Sequence, residues 1–176
     1  LISAVSKEII ENEKTSQILV NILSQIVSFH NGKGCGHVTN MNKLVESLLE
    51  RLNQLTDKYN LTSRDIFLIS TAASLHDIGK LAVDDSIINK PGKLTDEEFE
   101  KIKMHTVYGE QMINNMHQYE NEPLVRYARQ ICRSHHERYD GKGYPDGLIG
   151  DEIPIAAQVV SVADVYDALT SVRSYK

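Results

Sequence analysis

No stretch of uncharged apolar residues in this 176-residue chain approaches the roughly 20 needed to span a membrane. Residues 1–14 lack the basic segment and following apolar run of a secretory leader, and position 1 is Leu rather than Met, so a fragment of a longer chain is expected. Cysteine is scarce. Cys35 and Cys132 form neither a CxxC pair nor a disulfide framework, and two reduced thiols in a cytoplasmic protein are expected. Basic charge is also short: 19 Lys and Arg against 24 Asp and Glu leave a formal net charge of -5, which argues against general DNA or RNA binding. An acidic chain can still take an anionic substrate where bound metal ions invert the local field. Internal repeats and low-complexity segments are absent, and strand signals are weak. What remains, 41% hydrophobic and 24% charged residues, is ordinary for a soluble domain with a sizeable core.

The apolar residues recur with helical period. Ile18, Leu19, Ile22, Leu23, Ile26 and Val27 predict an amphipathic helix that ends near the glycines of His30-Asn-Gly-Lys-Gly-Cys-Gly36. Segment 1–30 reads either as the first helices of the domain or as a signalling linker from an upstream regulatory module. Its apolar stripe reads as domain core, with pairing to a second copy (a homodimer) left open. A second helix is predicted from about His37 to Lys58, with Val38, Met41, Leu44, Val45, Leu48, Leu52 and Leu55 on one face. Thr62 and Asp65 fit a capping box opening a third helix that runs to about Asp77, with Ile66, Ile69, Ala73 and His76 inward. Thr95 and Glu98 form another box, before one helix carrying Phe99, Ile102, His105 and Met112. Pro123 opens a helix to His136; after a glycine-rich loop, Pro154 opens the last, with Val159, Val162, Ala163 and Tyr166 inward. The expected fold is all-α.

Five of the seven histidines, His37, His76, His105, His135 and His136, sit on or at the end of a predicted helix near its apolar face. Burying five imidazoles and two carboxylates without partners is costly, and a metal cluster supplies the partners. Imidazoles and carboxylates without thiolate suit iron, manganese, zinc or nickel rather than a structural thiolate zinc site. In the pair His76-Asp77 the carboxylate can bridge two cations. Two bridged cations hold a hydroxide at neutral pH and clamp a phosphoryl group. Lys80, in His-Asp-Ile-Gly-Lys, can reach back toward a phosphate if Gly79 turns the chain.

His76-Asp-Ile-Gly-Lys80, Lys90-Pro-Gly-Lys-Leu-Thr95, His105, His135-His-Glu-Arg-Tyr-Asp-Gly-Lys-Gly-Tyr-Pro145, Val162-Ala-Asp-Val-Tyr-Asp-Ala-Leu-Thr-Ser171 and Arg173-Ser-Tyr-Lys176 together resemble the HD-GYP group of the HD superfamily. The resemblance covers roughly residues 37 to 176. It implies an HD-domain helical bundle over residues 31–176, with the metal site between the core helices and the family's later C-terminal helices absent. It implies a bacterial, cytoplasmic-facing phosphodiesterase that hydrolyses cyclic di-GMP to pGpG, with further cleavage to GMP open. By resemblance the metal ligands are His37, His76, Asp77, His105, His135, His136 and Asp164. Asp77 and Lys80 serve catalysis, and Lys80, Tyr144, Arg173 and Lys176 engage substrate. Members with three metals carry a Glu four residues before the first histidine; here Lys33 stands there, so two divalent ions, iron or manganese, are expected. Two rivals are an HD hydrolase of another nucleotide and a catalytically weak cyclic di-GMP-binding module.

Overall fold

A computed structural model describes the backbone of residues 2–30 and 36–170, and the side chains of 11–30 and 40–170. Among the described residues the architecture is all-α, as the periodicity predicts. Eight helices follow in order: α1 (Ile2–His30), α2 (Gly36–Leu55), α3 (Ser63–Ala73), α4 (Asp85–Ile88), α5 (Asp96–Lys103), α6 (His105–Asn114), α7 (Pro123–Ser134) and α8 (Ile155–Thr170). Short 3₁₀ turns lie at Ile78–Ala82, His117–Tyr119 and Gly150–Glu152. No helix among the described residues is long and apolar enough to cross a membrane.

The helix starts follow local chemistry. Thr62 and Thr95 accept from the backbone N–H of Asp65 and Glu98, whose carboxylates bond back to the cap N–H, so both boxes form. Pro123 opens α7, where its missing N–H costs nothing. Helices α2, α3, α6, α7 and α8 pack around a core that includes Met41, Val45, Leu49, Ile69, Ile131, Cys132, Val160 and Ala163.

Three helix ends differ from the sequence reading, and each difference places a histidine. The third helix stops at Ala73 rather than Asp77, and Ser74 bonds back to Thr71 in 3₁₀ fashion, lifting His76 and Asp77 onto a tight turn. The helix expected through His105 breaks at Met104, whose N–H reaches the Lys101 carbonyl (3.3 Å), so His105 is the first residue of α6. Helix α7 ends at Ser134, leaving His135 as its C-cap. The turn after Asp77 presses against α6 through Gly79, where a Cβ would overlap the His105 carbonyl and the Gly109 backbone. Only glycine permits that approach.

Three predicted inner faces are corrected. On α8 the buried stripe is Ala156, Ala157, Val159, Val160, Ala163 and Asp167, whereas Val162 and Tyr166 are exposed. On α1 only Val27 of the expected stripe is buried; Ile18, Leu19, Ile22, Leu23 and Ile26 face outward. The inward face of α1 is built from Ser24, Val27 and Ser28, with Asn21 in a polar network. Asn42 Nδ2 donates to Asn21 Oδ1 (2.9 Å), and Ser74 Oγ donates within reach of both Asn42 Oδ1 (2.7 Å) and Asn21 Oδ1 (3.1 Å). That network joins α1, α2 and the residue two before His76. Leu55, expected on the inner face of α2, is exposed.

Candidate metal centre

Three imidazoles of the centre, those of His76, His105 and His135, are oriented by their own main chain. The Nδ1–H of His76 donates to the Ala73 carbonyl (2.8 Å), and that of His105 to the Ile102 carbonyl (2.7 Å). The Nδ1–H of His135 donates to the Ile131 carbonyl (2.9 Å). A carbonyl only accepts, so the proton sits on Nδ1 and each Nε2 presents a lone pair. The helix breaks described above make this possible, because they leave the ring beside a carbonyl three or four residues back.

These lone pairs converge. His105 Nε2 lies 3.3 Å from His135 Nε2, and donor atoms of His105, His135 and His136 lie within 4.8 Å of one another. Asp77 Oδ1 stands 3.5 Å from His105 Nε2, and Asp77 Oδ2 3.4 Å from His76 Nε2. Asp164, on α8, brings Oδ1 to 3.9 Å from His76 Nε2. Two neutral imidazoles that have both spent their N–H on carbonyls cannot hydrogen-bond to each other. A cation between them turns that repulsive contact into coordination, and the His/Asp donor set suits a divalent ion. The residues present therefore fit a metal.

Burial reinforces the protonation state. Desolvation, with neighbouring positive groups, pushes His105 and His136 down to about 4 and His135 well below the ordinary imidazole range. The metal-free fold thus keeps these rings neutral while the unfolded chain protonates near pH 6.5. Between about pH 6.5 and 4 the unfolded state holds more protons, so stability falls as pH falls, by up to about 1.4 kcal/mol per pH unit for each ring. Chelator-treated protein should therefore change little in urea resistance from pH 7.5 to about 6.5 and lose it progressively from there to pH 5. A flat profile would contradict neutral, buried rings.

Around the cluster, Lys80 Nζ meets Asp77 Oδ2 at 2.7 Å. Lys80 thus reaches back across the turn to the Asp77 carboxylate. Tyr144 stacks on His136 with ring centroids 4.8 Å apart and planes inclined 26°, and the Tyr144–Pro145 peptide is cis. Burial, with Asp77 and Asp164 nearby, raises the Tyr144 phenol well above its usual range and keeps it neutral. Cys132 is no ligand: its S–H donates to the Leu75 carbonyl (3.2 Å), and burial pushes the thiol far up. His30 pairs with Asp85 (2.9 Å), and His117 is exposed.

Of the residues read from the sequence, His76, Asp77, His105, His135, His136 and Asp164 come together with Lys80 and Tyr144. His37 lies in the first turn of α2, with its side chain outside the described residues. Lys33, Arg173 and Lys176 also lie outside them. Sequence reasoning missed Glu137. Its buried carboxylate accepts from the backbone N–H of Asp146 (2.7 Å), Gly147 (3.1 Å) and Leu148 (3.1 Å), folding the loop that carries Tyr144. Gly143 packs against the Glu137 backbone so closely that a Cβ would overlap it. Arg133 clamps the same loop from α7, bonding both Asp146 oxygens (2.7 Å each) and Glu110. The available signal was an acid directly before a glycine-rich loop whose N–H groups need acceptors.

An all-α bundle that aims imidazole lone pairs and two carboxylates at one buried point defines a helical metal-centre protein. The HD domain profile matches residues 21–176. The chain belongs to the HD domain family, and its HD and Gly-Tyr-Pro blocks are those of the HD-GYP type. It is 36% identical over 166 residues to the cyclic di-GMP phosphodiesterase response regulator RpfG of Xanthomonas campestris pv. campestris, covering 94% of this chain and 41% of that protein. It is 38% identical to the 3'3'-cGAMP-specific phosphodiesterase 2 of Vibrio cholerae, over 95% of this chain and 30% of that protein. Against a cyclic di-GMP phosphodiesterase of Thermotoga maritima identity is 48% over 108 residues, 61% of this chain and 28% of the relative. The chain thus spans less than half the length of these relatives.

Proposed function

We propose that this chain is the hydrolytic domain of a metal-dependent phosphodiesterase that opens cyclic di-GMP to pGpG. The observation that carries the reading is the His105–His135 contact, in which two Nε2 lone pairs meet at 3.3 Å beside Asp77. His76, His105, His135, His136, Asp77 and Asp164 would hold two divalent ions, iron or manganese, with His37 completing the set. Such ions acidify bound water and offset the charge of a phosphodiester at neutral pH.

The chain's own residues do the remaining work. Asp77 offers one oxygen toward His105 and the other toward His76, which suits a carboxylate shared between two ions. Lys80 places an ammonium beside that carboxylate, where it stabilises a phosphate as negative charge develops. Tyr144 covers one face of His136, limiting ring rotation and water access. Arg173 and Lys176 are assigned to the substrate's guanine and phosphate by resemblance. Lys33, in place of the acid found in three-metal members, supports two ions and a reaction that slows at pGpG.

The likeness to a 3'3'-cGAMP-specific enzyme favours one second reading, a mixed guanine–adenine cyclic dinucleotide as substrate. The test is to load the protein anaerobically with iron(II) or manganese(II), count metals per chain, and follow both cyclic dinucleotides by chromatography. Cyclic di-GMP should yield pGpG with about two ions bound. Faster loss of 3'3'-cGAMP would establish the second reading, and no turnover of either at full metal occupancy would overturn both.

A further inference from the structure

Helix α1 is built inside out. Asn21, Ser24 and Ser28 face the bundle beside Val20 and Val27, whereas Ile18, Leu19, Ile22, Leu23, Ile26 and Phe29 face away. A helix docked on a core ordinarily does the reverse. Leu19, Ile22, Ile26 and Phe29 are 62%, 51%, 59% and 80% exposed, with Ile18 and Leu23 flanking them. Rolling the helix to bury this stripe would break the Asn21 hydrogen bonds to Asn42 and Ser74. The outward face is therefore held outward.

The spacing identifies what fits there. Leu19, Ile22, Ile26 and Phe29 follow one another at three, four and three residues, the a and d positions of a heptad seam. Exposed Asn12 and Thr15 continue the same register toward the N-terminus, and an Asn at an a position favours an in-register pair. No charged residue occurs from Thr15 to Phe29, so a two-fold axis along this stripe brings no like charges together. The six apolar side chains leave on the order of 700 Å² outward, so two copies have at most about 1,400 Å² of this stripe to cover, which reaches the lower part of the roughly 1,200–2,000 Å² of stable interfaces.

We infer that the outward face of α1 is the seam of a parallel two-helix coiled coil with a second copy of this chain. The pairing is independent of the reaction proposed above. It places the dimer seam on one side of a helix whose other side is bonded to Ser74, two residues before His76.

Sedimentation velocity across a concentration series tests this on the whole chain. The parent should sediment as a dimer. Ile22→Glu with Ile26→Glu should raise the dissociation constant at least a hundredfold, with helix content and metal content unchanged. Leu169→Glu, on the exposed face of α8, should leave the dimer intact. Ile26→Cys, at an a position facing its own copy, should form a disulfide-linked dimer above the background of the parent. A parent chain that stays monomeric at tens of micromolar would overturn the inference. So would a dimer that ignores the α1 substitutions, or a monomer whose α1 stripe instead carries it onto phospholipid vesicles.

Discussion

Replacing His135 with alanine is expected to empty the metal centre and to lower phosphodiester hydrolysis by at least about a thousandfold. His135 is fully buried at the end of α7, and its ring sits between those of His76 (5.2 Å between centroids), His105 (5.3 Å) and His136 (4.1 Å). Alanine removes both the lone pair and the ring that the bond to the Ile131 carbonyl aims into the cluster. His105→Ala should behave alike, since its Nε2 is the other half of the same contact. Elemental analysis after anaerobic purification reads the loss directly, and circular dichroism separates it from unfolding. His117→Ala, on an exposed 3₁₀ turn, serves as the control and should keep full metal content and rate. A His135→Ala protein that still binds its full complement of metal would show that the cluster is not the site.

The bundle was legible because its apolar residues recur with helical period and several of its helices announce their starts locally. Thr62 with Asp65, Thr95 with Glu98 and Pro123 each mark a helix start by satisfying or lacking an N–H within one turn. The helix ends were less legible. The breaks after Ala73 and at Met104 follow from where the following turn docks, and nothing nearby in the chain encodes that docking. Gly79 shows the point: its reason is the backbone of His105 and Gly109, about thirty residues away, which pattern reading does not see.

The centre was legible for a related reason. His76-Asp77 and His135-His136 are adjacent pairs, and the blocks around them are distinctive as written, so six residues that the fold brings together could be named beforehand, with His37 as a seventh whose side chain lies outside the described residues. Their rotation was not legible, because it depends on carbonyls freed at helix ends that the periodicity did not place. The outward stripe of α1 was misread because a 3–4 spacing of aliphatic residues states which face is apolar and not what covers it. The buried face of that helix is set by a three-residue polar network, Asn21, Asn42 and Ser74, whose members are far apart in the chain.

Glu137 carries the second large effect, which falls on stability rather than on metal binding. Its two oxygens accept three consecutive backbone N–H groups of the loop that ends in the Asp140–Ile149 bridge. Glu137→Ala removes the acceptor of those three donors, which lie on half-buried to exposed loop residues, and each unsatisfied group costs up to about 1–3 kcal/mol before water and the relaxing loop offset it. A net loss of about 3 kcal/mol or more in urea unfolding is therefore expected. Glu137→Gln keeps the shape and one acceptor oxygen, but it turns an amide donor toward the N–H that had met the second oxygen. It should recover only part of the loss. The loop also holds Tyr144 over His136, so hydrogen exchange of the amides at 146–148 should quicken in both variants. Catalysis should fall more than metal content does, since none of the named ligands is removed. A Glu137→Ala protein within about 1 kcal/mol of the parent would mean that water or another side chain takes over those donors.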